Sequence, residues 1–190
     1  MEATITNKRN KIHPIKFALW LGCGSIVMMF AAWTSAYVVR HAAGNWLEFK
    51  IPSIFFYNTA TIVASSLALH LSFINFKKGN EYAYKGFLIL TFILGLLFVG
   101  IQYLGWIELK NIGVPLTKNP SGDFIYALTS MHAVHVLGGV AVLTVAMIHA
   151  FALEFKPTPK RQLRFELTLT YWHFVDLLWI YLLVFLSSQS

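Results

Sequence analysis

Two short motifs place ionisable side chains inside apolar stretches of this chain. His132 and His135 form a His-x-x-His pair, and His173 lies three residues before Asp176 in a second pair. Residues three apart share one face of a helix, so each pair would present two polar groups in one direction. Histidine and carboxylate side chains bind metals, hydrogen-bond between helices and carry protons. The pairs therefore leave three kinds of site open: a metal centre, a structural polar network and a proton-handling group.

The composition places these motifs in a membrane. Of the 190 residues, 57% are hydrophobic and 12% are charged, and the mean hydropathy is +0.61, whereas soluble domains carry about 25% charged residues. Apolar segments of about 20 residues, the length that crosses a bilayer, occur five times. They lie at roughly residues 17–39, 53–76, 86–107, 124–152 and 168–187. The sequence therefore predicts an all-α bundle of five transmembrane helices in one membrane domain, residues 1–190.

The basic residues predict the orientation of this bundle. The net charge is +7, but the Lys and Arg residues lie in short clusters between the apolar segments. Eleven of the 15 fall in the N-terminal tail and in the second and fourth connections, and four fall in the other two connections. Because cytoplasmic loops carry the excess of Lys and Arg, the N-terminus is predicted inside and the C-terminus outside. Such scattered clusters are not a phosphate-binding face, so no nucleic-acid partner is expected.

Asp176 needs a polar partner because a lone charge in hydrocarbon is costly. A helical rise of about 1.5 Å per residue puts Asp176 roughly 12 Å from the inner end of the fifth segment, and His135 roughly 16 Å from the outer end of the fourth. In a hydrocarbon core about 30 Å thick, the two lie at comparable depth. We expect His135 or His173 to hydrogen-bond the Asp176 carboxyl, and we favour a structural network over a metal site or proton handling.

Two other membrane functions fit the residues less well. A bis-histidine haem needs histidines at one depth on facing helices, and only His135 and His173 come near that arrangement. The single cysteine, Cys23, excludes a cysteine-rich metal site. Transporters usually show repeats and broken helices, whereas no proline interrupts any of the five segments. A stand-alone transporter or haem-binding protein is the alternative from a different functional class.

The end of the chain resembles a known family. Residues 165–179 begin with Phe-Glu, continue after four residues with Tyr-Trp-His-Phe-Val-Asp, and reach Trp179 after two more. This run, which contains Glu166 and Trp172, is similar to the terminal-helix signature of subunit III of haem–copper terminal oxidases. Further positions that resemble the family are those of Asn58, Gln102, His132 and His135. The resemblance covers residues 17–187, and the chain resembles the short, five-helix bacterial form.

The resemblance implies an accessory subunit. In this family, subunits I and II hold the haems and coppers, while subunit III binds subunit I, holds structural phospholipid and helps to keep the oxidase active. The resemblance implies that this chain has no catalytic, cofactor-binding or metal-binding residue. It also implies a structural or lipid-associated role for eight polar residues, which we call the polar network. These are Asn58, Gln102, His132, His135, Glu166, Trp172, His173 and Asp176.

The resemblance also implies a setting for the chain. The complex is expected to be a proton-pumping aa3-type cytochrome c oxidase in a bacterial cytoplasmic membrane, with a quinol–cytochrome c reductase as a further, supercomplex partner. A quinol oxidase is the alternative, because the electron donor binds to another subunit; a member associated with nitric oxide reductase is a lesser one. Two departures concern acids: Ile26 and Gly105 occupy positions where the family often has glutamate. The buried carboxylate linked to carbodiimide labelling is therefore missing at both positions.

The charge distribution generates a test of topology. A reporter enzyme that is active only outside the cytoplasm, fused after Ser190, should be active, because eleven basic residues hold the opposite ends of the segments inside. A matched fusion within the second connection, after Lys78, should be inactive. A second reporter enzyme, active only in the cytoplasm, should be inactive when it is fused after Ser190. Activity of this second fusion would contradict the five-helix topology.

Overall fold

The structure is a computed structural model that describes residues 13–156 and 158–189. Within those residues the chain forms five α-helices and no β-strand. They are α1 (Pro14–Ala42), α2 (Ile54–Lys78), α3 (Glu81–Asn111), α4 (Pro120–Ala152) and α5 (Pro159–Ser188). All five are long and apolar enough to cross a membrane. The predicted all-α, five-helix membrane class is confirmed. The end of the bundle that holds the α2–α3 connection is called the inner end, following the predicted orientation.

The helices extend beyond the predicted apolar segments, and α5 does so most. It begins at Pro159, about two and a half turns before the predicted start at residue 168. The Thr158 hydroxyl accepts a hydrogen bond from the Arg161 backbone N–H at 3.4 Å, which caps the helix. Pro159 suits the first helical position because its fixed φ matches the helix. The apolar pattern of the sequence did not predict these turns, because Arg161 and Arg164 make them polar.

α5 is the central helix of the bundle. It packs against α1, α2 and α4, while α3 packs against α2 and α4. Half of the most apolar window of α5 is buried, compared with 6% of that of α1. α1 packs only against α4 and α5 among the described helices. Helices α2 to α5 therefore form a four-helix bundle, and α1 lies on its α4–α5 side.

Trp172 of α5 sits where the four helices meet. Its side chain is 1% exposed, and its indole N–H donates to the Ser65 hydroxyl of α2 at 3.2 Å. A Cβ added at Gly95 of α3 would lie 2.9 Å from the indole ring, and one added at Gly139 of α4 would lie 2.8 Å from it. Such distances are shorter than van der Waals contact, so both helices need glycine at these positions. Small residues allow this close approach, as in other membrane bundles.

This contact generates a test of the packing. Gly139→Ala should lower the thermal unfolding midpoint of the purified, detergent-solubilised protein, because the new methyl group overlaps the fixed Trp172 ring and overpacking costs about 1–3 kcal/mol. Gly100→Ala is the matched control, since nothing lies within 4 Å of its added Cβ. That control should keep or raise the midpoint, as Ala favours the helix. Equal midpoints for the two variants would contradict this account of the core.

Candidate functional site: an intramembrane polar network and a basic inner cleft

Asn58 and Gln102 join α2 to α3 inside the bundle. Both side chains are 1% exposed, and the Asn58 amide N–H donates to Oε1 of Gln102 at 2.9 Å. The remaining amide oxygen of Asn58 and amide nitrogen of Gln102 have no partner among the described residues. A hydrogen bond between amides in a low-dielectric core fixes the relative position of its two helices. The pair therefore sets the register of α2 against α3.

His132 and His135 have different surroundings despite their spacing. The His132 ring is fully buried, with its centroid 5.0 Å from that of Trp179 and 5.8 Å from that of Phe98. Neither of its ring nitrogens has a partner among the described residues. Nδ1 of His135 instead hydrogen-bonds the Met131 carbonyl of its own helix at 2.7 Å. Among the described residues, no group of three or more His, Cys, Asp or Glu side chains is arranged to hold a metal ion.

Ser66 of α2 connects the second pair of motif residues. Its hydroxyl hydrogen-bonds Nδ1 of His173, and the Asp176 carboxyl lies near it on the same face of α5 as His173. Asp176 is buried, and its Oδ1 has no partner in the described part of the chain. The prediction that His135 or His173 hydrogen-bonds Asp176 is therefore wrong. Helical spacing placed His173 and Asp176 on one face of α5 but did not show that α2 brings a hydroxyl between them. Adjacent serines in an apolar segment were the signal that sequence reasoning missed.

Glu166 lies at the inner boundary of the bundle. Its carboxylate forms an ion pair with Lys16 of α1 at 2.7 Å, and both side chains are partly exposed. An exposed pair of this kind contributes about 0–1 kcal/mol. Thr34 and Tyr181 share a hydrogen bond of 3.0 Å nearer the outer end. Two polar contacts therefore hold the sparsely packed α1 against α5.

A cleft opens at the inner end between α1, α4 and α5. Its volume is about 810 Å³. Basic side chains from Arg161, Arg164 and His149 line one part of it, and apolar side chains line most of the rest. The apolar lining residues include Leu19, Val142, Val145, Leu153 and Leu167. From the sequence, Arg161 and Arg164 were interpreted only as topology signals. In the structure they line the cleft from the start of α5, so their spacing was also the sequence feature that could have indicated it. An anionic group beside an apolar chain matches this combination of charge and surface.

The terminal motif is now located in three dimensions: Trp172, Asp176 and Trp179 face the interior of the bundle. A family model described as Cytochrome c oxidase subunit III matches residues 15–189 of this chain. The chain belongs to the cytochrome c oxidase subunit III family. Members of this family are subunits of a respiratory oxidase, and this member has the helices of a multi-pass membrane protein.

Individual relatives agree with the family. The chain is 29% identical over 172 residues to a probable cytochrome c oxidase subunit 3 from Nocardia farcinica, covering 85% of this chain and 80% of that protein. It is 25% identical over 187 residues to a probable cytochrome c oxidase subunit 3 from Mycobacterium tuberculosis, covering 90% and 89%. It is 30% identical over 125 residues to cytochrome c oxidase subunit 3 from Gallus gallus, covering 66% and 46%. The match to the animal subunit III thus spans less than half of that protein.

The buried Asp176 side chain generates a test of the polar network. Asp176→Ala should lower the unfolding midpoint of the oxidase complex and reduce retention of this subunit III, because it removes a buried side chain and leaves a cavity in the core, at a cost of about 0.5–3 kcal/mol. Asp176→Asn keeps the shape of the side chain and should be the milder change. The haem spectrum should be unchanged in both. Loss of haem signal while the subunit stays bound would contradict a structural role for Asp176.

Proposed function

We propose that this chain is the accessory subunit III of a proton-pumping aa3-type cytochrome c oxidase in a bacterial cytoplasmic membrane. The observation that carries the proposal is the burial of the family signature inside the bundle, where Trp172 and Trp179 pack against neighbouring helices and His173 hydrogen-bonds Ser66 of α2. Side chains used in this way position helices and do not line a reaction cavity. The subunit itself takes part in no redox step, and its polar residues stabilise a scaffold beside the haem- and copper-bearing subunits I and II.

The members of the network divide this structural role. Asn58 and Gln102 hold α2 to α3, His173 holds α5 to α2 through Ser66, and Glu166 holds α5 to α1. Their hydrogen bonds replace part of the hydrophobic driving force, which is weak between helices in lipid. A rigid bundle of this kind can support the lateral surface of subunit I during turnover.

The inner cleft is the proposed phospholipid site. The Arg161 and Arg164 guanidinium groups match the geometry of a phosphate, which they can bind with paired hydrogen bonds. Arg161 is already positioned, because its guanidinium donates to the Glu154 carbonyl at 2.6 Å. The apolar walls formed by α1, α4 and α5 would contact an acyl chain. Pockets of about 300–1,000 Å³ bind drug-sized ligands, so the cleft of about 810 Å³ has room for a headgroup and part of an acyl chain.

The electron donor of the complex is proposed from the relatives. The similar proteins are named as cytochrome c oxidase subunits, which favours cytochrome c over quinol as the donor. A quinol–cytochrome c reductase in a supercomplex is the further partner consistent with that donor, since it reduces cytochrome c. Family membership disfavours the alternative of a stand-alone transporter or haem-binding protein.

The cleft generates a test of lipid binding. Arg164→Gln should lower the phospholipid that co-purifies with the oxidase and shorten its active lifetime during turnover, because a charge-assisted hydrogen bond of about 1.5–3 kcal/mol is lost. Arg164 suits this test because its side chain is exposed in the cleft. Arg40→Gln, which removes a guanidinium at the other end of α1, should leave both quantities unchanged. Lipid mass spectrometry and turnover assays measure them. Equal lipid content and lifetime in Arg164→Gln and the unaltered oxidase would contradict the site.

A further inference from the structure

Three buried polar side chains, from three different helices, carry unpaired atoms in the interior of the bundle. His132 of α4 is 0% exposed, and Asn58 of α2 and Gln102 of α3 are each 1% exposed. Among the described residues, both ring nitrogens of His132, Oδ1 of Asn58 and Nε2 of Gln102 have no hydrogen-bond partner. Buried polar groups of proteins are nearly always hydrogen-bonded, either to protein or to ordered water. These four atoms therefore point to a bound polar molecule that is small enough for the core.

Contacts between α3 and α4 place Gln102 at the level of His132. The ring centroid of Phe98, which is four residues before Gln102, lies 5.8 Å from that of His132. Trp106, which is four residues after Gln102, donates to the Thr129 hydroxyl of α4 at 2.9 Å. Thr129 in turn is three residues before His132 on its helix. Because residues four apart share a helix face, Gln102 lies between these two contacts on the face of α3 that packs against α4.

Asn58 holds the same glutamine from the side of α2. Its amide N–H donates to Oε1 of Gln102 at 2.9 Å. This bond uses one donor and one acceptor of the amide pair, and it leaves one carbonyl oxygen and one NH₂ group free. The same two groups remain free whichever amide is the donor. The pair can therefore donate to and accept from one further molecule.

We propose that one buried water molecule joins His132 of α4 to the Asn58–Gln102 pair. The water accepts a hydrogen bond from the free NH₂ group of Gln102 and donates one to the free oxygen of Asn58. It still has a donor and an acceptor, so it pairs with a His132 nitrogen in either tautomer of the ring. Three hydrogen bonds are the number that buried waters typically make.

This water links two helices that do not pack together. Within the described residues, α2 packs against α3 and α5, and α4 packs against α1, α3 and α5, but α2 and α4 make no packing contact with each other. The path from Asn58 through the water to His132 therefore crosses the four-helix bundle diagonally. A bridging water is nearly as favourable in enthalpy as a direct hydrogen bond, so it can hold this diagonal without a longer side chain.

A density map of the purified membrane complex that contains this chain, at a resolution that shows ordered water, tests the site. One isolated peak should lie at about 2.7–3.2 Å from a His132 ring nitrogen and from both amide groups. The peak should persist in His132→Gln, which keeps a donor and an acceptor, and should be lost in Gln102→Leu. A map of the unaltered protein with no such peak, or with His132 bonded directly to an amide, would overturn the inference.

Unfolding midpoints of the same complex supply an independent test. His132→Leu and Gln102→Leu should each lower the midpoint, and the double variant should lower it by less than the sum, because both changes disrupt one water. Ser72→Ala is the control partner for His132→Leu. It removes the hydrogen bond of 2.9 Å to the Tyr84 carbonyl, about 21 Å along α2 from Asn58, so those two shifts should add. Additive shifts for His132→Leu with Gln102→Leu would contradict the shared water.

Discussion

The close contact of Trp172 with two glycines is the constraint on which the rest of the bundle depends. The ring lies against Gly95 of α3 and Gly139 of α4, and its N–H reaches Ser65 of α2. A single side chain of α5 thereby sets the distances between four helices. The hydrogen bonds of Asn58 with Gln102 and of Ser66 with His173 join pairs of these same helices. The close packing around Trp172 and the polar network therefore act on the same helix contacts.

Hydrogen bonds between side chains have a larger structural role here than in a soluble bundle, because lipid supplies little hydrophobic driving force between helices. Trp179 donates to Thr59 at 2.9 Å and Trp106 donates to Thr129 at 2.9 Å, which joins α5 to α2 and α3 to α4. These bonds direct the conspicuous aromatic and polar residues inward. Their inward position supports the structural role proposed above for an accessory subunit of an oxidase.

The proposed phospholipid site lies on the side of α5 that faces α1 and α4. It combines the guanidinium groups of Arg161 and Arg164 with an apolar groove, which is the combination that an anionic amphiphile requires. The central position of α5 links this surface to the core of the bundle.

The sequence alone predicted five membrane helices and the family, since span length and the run from Tyr171 to Asp176 are local properties of the chain. It did not predict the early start of α5, because hydropathy detects the apolar part of a helix and not its capped, polar turns. The surroundings of Asp176 and the separate surroundings of His132 and His135 were decided by tertiary structure. The physical reason is that apolar residues cover both the lipid-facing and the core-facing sides of these helices. Spacing then shows which residues share a face, but the rotation and order of the helices, set by contacts such as Trp172 with Gly139, decide what that face meets.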